Sequence, residues 1–269
     1  MFYFDSRCYR MTSFEIEFSS IGKLRRFKNI FSKDGKALIV AMDHGMIGDF
    51  RCLEHIEIVA KKMIDGGADA LLVTPAIGKY LVKKIKDRIS LVLSIPYDEK
   101  YVEYAVKLGA DAVKTTYFGP VPLDWETMNK VWRVSLAAEE WGMPYMAEVV
   151  PCDEKGKVIY DVEKVKQAAR IGAELGGDII KTAYVGPPSR YSEVVKSTPV
   201  PITVMGGPKI ESLREFLLML KEAVEAGATG GTIGRNIWQH EKPEKVVKAL
   251  VAILHEDKEV EEALNIIEK

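Results

Sequence analysis

Four segments of the chain end a helical pattern at glycine and then enter a short apolar run. They are GGADALLVTP at 66–75, LGADAVKTTYFGP at 108–120, LGGDIIKTAYVGP at 175–187 and AGATGGTIGRN at 226–236. Glycine often ends a helix because it adopts the left-handed conformation at little cost. The apolar runs are short, β-branched and barely alternating, which is typical of strands buried on both faces of a parallel sheet.

Four further apolar runs lie between these segments, at 37–43, 90–96, 144–151 and 201–207. A helical pattern follows each of the eight runs, most clearly at 53–65 and 212–226. Eight alternating units predict an α/β fold, a single (β/α)8 TIM barrel, with a doubly wound open sheet as the alternative. We expect the barrel to span residues 21–269 with a helix at 21–31 closing its bottom. Residues 1–20 form an N-terminal extension that need not be ordered.

Charge and composition exclude several classes of protein. Lys plus Arg is 38 and Asp plus Glu is 39, so the basic excess of a non-specific nucleic-acid binder is missing. No apolar run reaches the ~18 residues of a membrane span, and the first residues lack a secretory apolar core. Neither the three cysteines nor the four histidines show a metal-ligand spacing. We therefore expect a cytoplasmic protein without a metal or cofactor, and without nucleic-acid or membrane partners.

Two of the four segments repeat each other around a lysine. Residues 108–120 and 175–187 are identical at eight of thirteen positions, and this places Lys114 on strand four and Lys181 on strand six. Residues at one height on alternate barrel strands share a layer, so both lysines should point inward near the C-terminal mouth. Like charge and burial both favour a neutral amine, which can attack a carbonyl and form a Schiff base. The alternatives are lysines paired with carboxylates, or a relic of barrel duplication.

Two carboxylates are candidates for the same mouth. Asp43 ends strand one in AMDHG, and Glu148 lies inside apolar strand five, between the strands of the two lysines. A buried carboxylate needs a partner, so Glu148 should pair with a lysine, either to tune it or as a structural ion pair. His44 has the opposite strand parity and is expected to pack behind strand one. Tyr184 follows Lys181 by three residues and is a candidate substrate contact.

Glycine loops after strands seven and eight suggest an anion site. VMGGPK at 204–209 and TIGRN at 232–236 carry Gly206, Gly207, Gly234 and Arg235. Barrels often hold a phosphate on these two loops, where glycine lets backbone N–H groups approach an anion. Arg235 adds a fork-shaped cationic donor. The alternative is that these are simply tight turns.

These motifs resemble one known family. AMDHG with Asp43, GGDIIKTAYVG with Lys181, GGPK at 206–209 and GRNIWQ at 234–239 are similar to the archaeal-type (DhnA-like) class I aldolases, over about residues 33–262. The resemblance implies a Schiff base on Lys181, an active-site role for Asp43 and a phosphate on Gly206, Gly207, Gly234 and Arg235. It also implies a homo-oligomer, commonly a decamer. The paucity of Gln and Asn is typical of hyperthermophile proteins.

The chain departs from this family at strand five. The fructose-bisphosphate aldolases and heptulosonate synthases of the family carry a proton-transferring Tyr where Val150 stands here. A thiolase of phosphorylated autoinducer-2 in the same family also lacks that Tyr. Val150 has no proton to transfer, so Glu148, with the same strand parity, is the expected substitute.

We therefore predict a lyase, a class I aldolase acting on a phosphorylated ketose. Lys181 is the nucleophile, Lys114 keeps it deprotonated, and Asp43 and Glu148 move protons. Three alternatives stay open: a transaldol or thiolase-type transferase, a phosphosugar isomerase or epimerase without a covalent intermediate, and a non-catalytic phosphate-binding barrel.

Overall fold

Eight parallel strands close into a ring in the computed structural model, which describes residues 8–10, 15–17, 20–85 and 89–269. The last strand pairs with both the seventh and the first, and Gly230 lies opposite Ala37 at the seam. This closure confirms the predicted TIM barrel and excludes the open sheet. The strands are β1 (Ala37–Ala41), β2 (Ala70–Val73), β3 (Ser90–Ser94), β4 (Ala112–Gly119), β5 (Tyr145–Pro151), β6 (Ile179–Thr182), β7 (Ile202–Met205) and β8 (Gly230–Ile233).

The apolar runs of the sequence become strands because both of their faces are covered. Along β1, Leu38 and Val40 pack outward against the helices, whereas Ala37, Ile39 and Ala41 fill the barrel interior. Every residue of this strand is buried. A continuous apolar run rather than an alternating one is the sequence pattern of such a strand.

Helices surround the barrel and follow the strands in turn. The helix predicted at 53–65 begins at Ile56, because Arg51–Leu53 form a separate 3-10 turn. The helix predicted at 212–226 begins after Ser212, whose hydroxyl accepts a hydrogen bond from the N–H of Glu215 at 3.2 Å. The helices are α1 (Ile21–Ile30), α2 (Ile56–Gly66), α3 (Pro75–Ile85), α4 (Lys100–Leu108), α5 (Trp125–Glu140), α6 (Val162–Glu174), α7 (Pro188–Ser197), α8 (Leu213–Glu225), α9 (Arg235–Trp238), α10 (Pro243–His255) and α11 (Val260–Glu268).

The aspartates of the repeated segments fasten neighbouring strands together. Asp69, just before β2, accepts the N–H of Leu38 in β1 at 2.7 Å. Asp111 does the same for Leu91 in β3 at 3.0 Å, and Asp178 for Tyr145 in β5 at 2.8 Å. The Gly-x-Asp repeat thus has a structural role at the N-terminal end of the barrel, opposite the mouth.

Helix α1 closes this N-terminal end. Phe27 and Ile30 are fully buried and join the apolar cluster that fills the barrel interior. Lys23 anchors the helix through ion pairs with Asp178 at 2.9 Å and Glu139 at 2.5 Å. Burial of this apolar face is the main force that holds α1 in place.

Two short pieces of the predicted extension 1–20 are described. Cys8–Arg10 pairs antiparallel with Glu15–Glu17, and the expectation for the rest of the extension lies outside the described residues. Among the helices in the described ranges, none combines the length and apolarity that crossing a bilayer requires.

Candidate active site

One carboxylate bridges the two lysines of the sequence repeat. Glu148 lies on β5 between β4 and β6, directly opposite Thr116 on one side and Lys181 on the other. Lys181 Nζ lies 2.6 Å from Glu148 Oε1, and Lys114 Nζ lies 2.7 Å from Glu148 Oε2. Lys114 also pairs with Asp43 Oδ2 at 3.0 Å. The structure therefore brings together all four residues predicted to be catalytic.

The charges in this cluster are balanced. Burial opposes ionisation of Glu148, but Lys114 and Lys181 outweigh it and lower the pKa of this carboxyl to about 2. For Asp43, burial again acts against the charge, and Lys114 and Lys181 hold its pKa well below its usual range. Burial lowers the pKa of Lys114, but Glu148 and Asp43 reverse this and raise it. Both carboxylates are ionised and Lys114 is protonated at neutral pH.

This balance changes the role expected for Lys114. The sequence predicts that its positive charge keeps Lys181 deprotonated through like-charge repulsion. Two carboxylates lie against the lysines, so that repulsion is offset by attraction to Glu148 and Asp43. Lys114 instead holds both carboxylates in place and in their ionised form.

A cavity of about 120 Å³ opens at the C-terminal ends of the strands, and Lys181 and Glu148 line it. Both lysines are buried, and Lys114 is not among the described residues that line the cavity. Of the two repeated lysines, Lys181 is therefore the one that a small molecule in the cavity can reach.

The predicted phosphate-binding residues form one wall of this cavity. Gly206, Gly207, Gly234 and Arg235 all line it. A Cβ on Gly234 would lie 2.5 Å from the carbonyl oxygen of Ala41, so only glycine fits there. The Nε atom of Arg235 is buried and has no hydrogen-bond partner in the described part of the chain. Such a donor at a cavity wall is available to an anion.

Asn236 fixes the shape of this wall, a role that was not predicted from the sequence. Its Nδ2 group donates to the carbonyl oxygens of Gly206 at 2.7 Å and Pro208 at 3.0 Å. Its Oδ1 atom accepts the N–H of Ile210 at 2.7 Å. The only signal in the sequence was its position directly after Arg235.

His44 lies at the cavity, so the expectation that it packs behind β1 is wrong. Strand β1 ends at Ala41 and His44 begins a 3-10 turn, so strand parity no longer applies. Its ring packs edge-on against Trp238, and its Nδ1 atom lies 3.6 Å from Asp43 Oδ1. Burial lowers the pKa of His44; Asp43 opposes this, while the charges of Lys181 and Arg235 add to it. The imidazole is thus neutral at neutral pH.

Tyr184 lies elsewhere, although it was expected to contact substrate. Its hydroxyl donates to Glu222 of α8 at 3.0 Å, and its ring packs against Tyr191. Strand β6 ends at Thr182, so the chain has already turned toward the helices when it reaches Tyr184. The two Lys-x-x-Tyr segments therefore differ in structure: Tyr117 still lies within β4, whereas Tyr184 lies beyond the end of β6.

Val150 is fully buried, and a folded segment covers this end of β5. Cys152 pairs with Val158 in an isolated antiparallel bridge, and Val158 lines the cavity. Phe118, the strand partner of Val150 on β4, lines it as well. Apolar side chains therefore occupy the side of the cavity where the family's tyrosine is replaced.

Within the described ranges, no group of three or more His, Cys, Asp or Glu side chains is placed to hold a metal ion. The chemistry of the cavity is that of an amine, two carboxylates, an imidazole and a guanidinium.

Comparison with known proteins identifies the family. A sequence profile of DeoC/LacD family aldolases matches residues 37–240, which contain all eight barrel strands. The chain belongs to the DeoC/LacD family of aldolases. An uncharacterized aldolase of Saccharolobus solfataricus is 34% identical over 272 residues, covering 92% of this chain and 99% of that protein.

Two other relatives of this DeoC/LacD aldolase carry more specific names. The 2-amino-3,7-dideoxy-D-threo-hept-6-ulosonate synthase 1 of Archaeoglobus fulgidus is 32% identical over 259 residues, covering 92% of this chain and 96% of that protein. The fructose-bisphosphate aldolase class 1 of Thermoproteus tenax is also 32% identical over 259 residues, covering 90% and 98%.

A solved structure of a Schiff-base-forming fructose-1,6-bisphosphate aldolase superposes on this barrel with a TM-score of 0.76. The two proteins are 30% identical, and the match covers 86% of this chain and 99% of the other. The resemblance to archaeal-type class I aldolases is confirmed, and so are the enzyme class, a lyase, and its Schiff-base aldolase type.

Proposed function

We propose that this aldolase forms or cleaves a carbon–carbon bond in a phosphorylated ketose, with Lys181 as the nucleophile. The observation that carries the proposal is the position of Lys181. Its amine is 2.6 Å from Glu148, and both residues line the cavity, whereas Lys114 is not among the described lining residues. The deprotonated Lys181 amine adds to the ketose carbonyl, and loss of water gives a cationic Schiff base.

Glu148 stabilises the cation in each state of the reaction. The iminium that forms on Lys181 is a cation, and the Glu148 carboxylate lies beside it. Lys114 and Asp43 hold this carboxylate in an ionised, fixed position. A fixed charge at a developing cation lowers the barrier because no reorganisation is required.

His44 is the proton carrier in this proposal. As the carbon–carbon bond breaks, its electrons move to the iminium nitrogen to give an enamine, and the hydroxyl of the departing fragment loses its proton to the neutral imidazole. Asp43 and Glu148 are poorly matched to this task because their pKa values are held far below neutral. Asp43, 3.6 Å from Nδ1 of the imidazole, instead acts on it through its charge, which stabilises the imidazolium that forms.

The phosphate of the ketose binds on the glycine wall. Backbone N–H groups near Gly206, Gly207 and Gly234 can approach an anion closely, and Arg235 adds a cation with a free buried Nε–H in the described structure. Binding energy from the phosphate positions the carbonyl for attack by Lys181.

The proposal is tested by borohydride reduction in the presence of dihydroxyacetone phosphate, followed by intact-mass analysis. We expect one reduced adduct per chain, located by peptide mapping on Lys181. The Lys181→Arg variant should give no adduct. The control is Lys221→Arg, at a lysine of α8 that pairs with Asp257 and does not line the cavity, and it should label normally. Isomerisation of ketose phosphates without an adduct would support the isomerase, and phosphate binding without any turnover would support a scaffold.

The enzyme also acts as a homo-oligomer in this proposal. Trp125, Trp132 and Leu136 form one exposed face of α5 and are 71%, 41% and 61% exposed. Apolar patches of this kind mark interaction surfaces, and closed homo-oligomers are the commonest assemblies. A cytoplasmic location and thermal stability complete the proposal. The low content of Gln and Asn and the relatives from Saccharolobus solfataricus and Thermoproteus tenax support the thermal stability.

A further inference from the structure

Two unlike groups of residues, here called its walls, line the cavity together with Lys181. One wall carries the glycine loops and Arg235. The other carries Phe118 from β4 and Val158 from the segment that follows β5. When the phosphate of a ketose lies on the first wall, Phe118 and Val158 are the side chains of the second wall that its carbon chain can contact.

The second wall offers no charge for a second phosphate. Within the described chain, the cationic side chains lining the cavity are Lys181 and Arg235, with the neutral His44 beside them. Lys181 is bonded to the substrate in the reaction, and Arg235 belongs to the glycine wall. An unpaired dianion against Phe118 and Val158 would lose its hydration without gaining a counter-charge.

The nearest lysine in sequence, Lys157, lies on the outer side of the covering segment. Val158 faces the cavity, and the Tyr160 hydroxyl lies 3.4 Å from a Cβ built on Gly207. Residues alternate sides along an extended segment, so Lys157 points away from both. Its exposed position is consistent with this.

The segment that carries Val158 is held in place. Cys152 and Val158 pair in an antiparallel bridge, and the N–H of Ile159 donates to the carbonyl oxygen of Pro151 at 2.8 Å. The cavity beneath it measures about 120 Å³, well below the roughly 300–1,000 Å³ of pockets for larger ligands. The cavity as a whole therefore suits a small substrate.

We infer that the fragment exchanged at the apolar wall is a short, uncharged, apolar aldehyde, so that the ketose carries a single phosphate. This inference rests on the proposed function, because it assumes a Schiff base on Lys181. In the synthetic direction, the enamine carbon attacks the aldehyde carbonyl and one carbon–carbon bond forms. The neutral imidazole of His44 first takes the proton that the carbon next to the donor's iminium loses when the enamine forms. The new alkoxide then takes this proton back from the imidazolium, and water releases the product from Lys181.

The experiment compares two aldehydes with dihydroxyacetone phosphate as the common donor. Propionaldehyde is short and apolar, and glyceraldehyde 3-phosphate carries the second phosphate. We expect kcat/KM for propionaldehyde to be at least about tenfold higher. Equal values, a preference for glyceraldehyde 3-phosphate, or turnover of neither aldehyde despite a trapped donor adduct would overturn the inference.

Variants at Phe118 make the test independent of the wild-type rates. Phe118 is 48% exposed, so substitutions there should leave the fold intact. Phe118→Arg should reverse the preference by placing a cation on the apolar wall, while the matched control Phe118→Leu should retain it. An unchanged preference in Phe118→Arg would contradict the inference. Failure to trap the donor on Lys181 at all would instead refute the proposed function.

Discussion

At the scale of single residues, Glu148 has the most demanding position, since one carboxylate faces two ammonium groups. Replacing it by Gln keeps the shape but leaves Lys181 without its counter-charge and Lys114 with Asp43 alone. Breaking a buried ion pair from one side costs about 3–5 kcal/mol. We expect Glu148→Gln to lose about that much free energy of unfolding at pH 7, measured by chemical denaturation at 25 °C.

The matched control for this variant is Glu126→Gln. Glu126 pairs with Lys130 one turn away on α5, and its side chain is 79% exposed. Exposed pairs contribute little, so this variant should unfold with the wild type. If Glu148→Gln were as stable as the control, the two lysines would not share a buried counter-ion.

The second residue-scale prediction concerns His44. Burial lowers the pKa of its imidazole; Asp43 and Glu148 oppose that effect, while Lys181 and Arg235 add to it. Only the neutral form accepts a proton, so kcat should fall as the pH decreases through this lowered pKa, below 6.5. His44→Gln should reduce kcat by about 10²-fold or more and abolish that acidic limb. The measurement is a pH profile of kcat with dihydroxyacetone phosphate and propionaldehyde.

His55→Gln serves as the control, because His55 is exposed and makes no capping hydrogen bond at the start of α2. Its profile should match that of the wild type. An acidic limb that survived in His44→Gln would assign the proton transfer to another group. Borohydride trapping on Lys181 should persist in His44→Gln, which separates a proton-transfer defect from loss of the nucleophile.

Strand parity explains which site residues the sequence could predict. Lys114, Glu148 and Lys181 lie within strands, where alternation fixes the direction of a side chain. His44 and Tyr184 follow the last strand residue by two or three positions, where the chain has already turned. Strand alternation therefore predicts the direction of the two lysines and Glu148. It gave the wrong position for His44, and it does not apply to Tyr184.

At the scale of elements, the two repeated segments, 108–120 and 175–187, contribute side chains to both ends of the barrel. Their lysines face the mouth, and their aspartates accept strand N–H groups at the opposite end. The sequence predicted all eight strands because each is a short apolar run, and glycine marks the start of four of them. The aspartate clamps were not predicted, because a hydrogen bond to a neighbouring strand depends on register, which a single segment does not encode.

One contact joins the last turn of α10 to this N-terminal end and makes stability depend on pH. His255 bonds Asp34 at 2.8 Å and Asp69 at 3.0 Å. Burial lowers the pKa of His255, but its hydrogen bonds to Asp69 and Asp34 and their charges outweigh burial and raise it above 6.5. The stabilisation is therefore complete below pH 6.5 and is lost as the pH rises through the raised value.

Removing this imidazole should flatten the pH dependence. We expect His255→Gln to lose about 2 kcal/mol of the free energy of unfolding at pH 6, the range of a hydrogen bond to a charged group, and progressively less at higher pH. Urea denaturation from pH 6 to 9 provides the measurement, with His55→Gln as the exposed control. If the difference in free energy of unfolding between the wild type and His255→Gln grew with pH, the folded His255 would be neutral at pH 6.

At the scale of the whole molecule, the closed barrel follows from counting eight similar units, and pairing of Gly230 with Ala37 completes it. The cavity was harder to predict. Its apolar wall is built by Phe118 and Val158, which lie 40 positions apart and meet only because the segment after β5 folds back. Contacts of this kind depend on the conformation of a loop, which the periodicity of apolar residues in the sequence does not predict.

The final prediction concerns assembly, since the exposed apolar face of α5 has no partner within the described part of this chain. Trp125, Trp132 and Leu136 lie seven and four residues apart, which aligns them along one face of the helix. A second copy would bury this face, so Leu136→Asp should shift the protein to a smaller species by size exclusion with light scattering. Ile58→Asp, which alters an exposed apolar residue on α2, should leave the mass unchanged. An unshifted mass in Leu136→Asp, with the circular dichroism spectrum retained, would place any subunit interface away from α5.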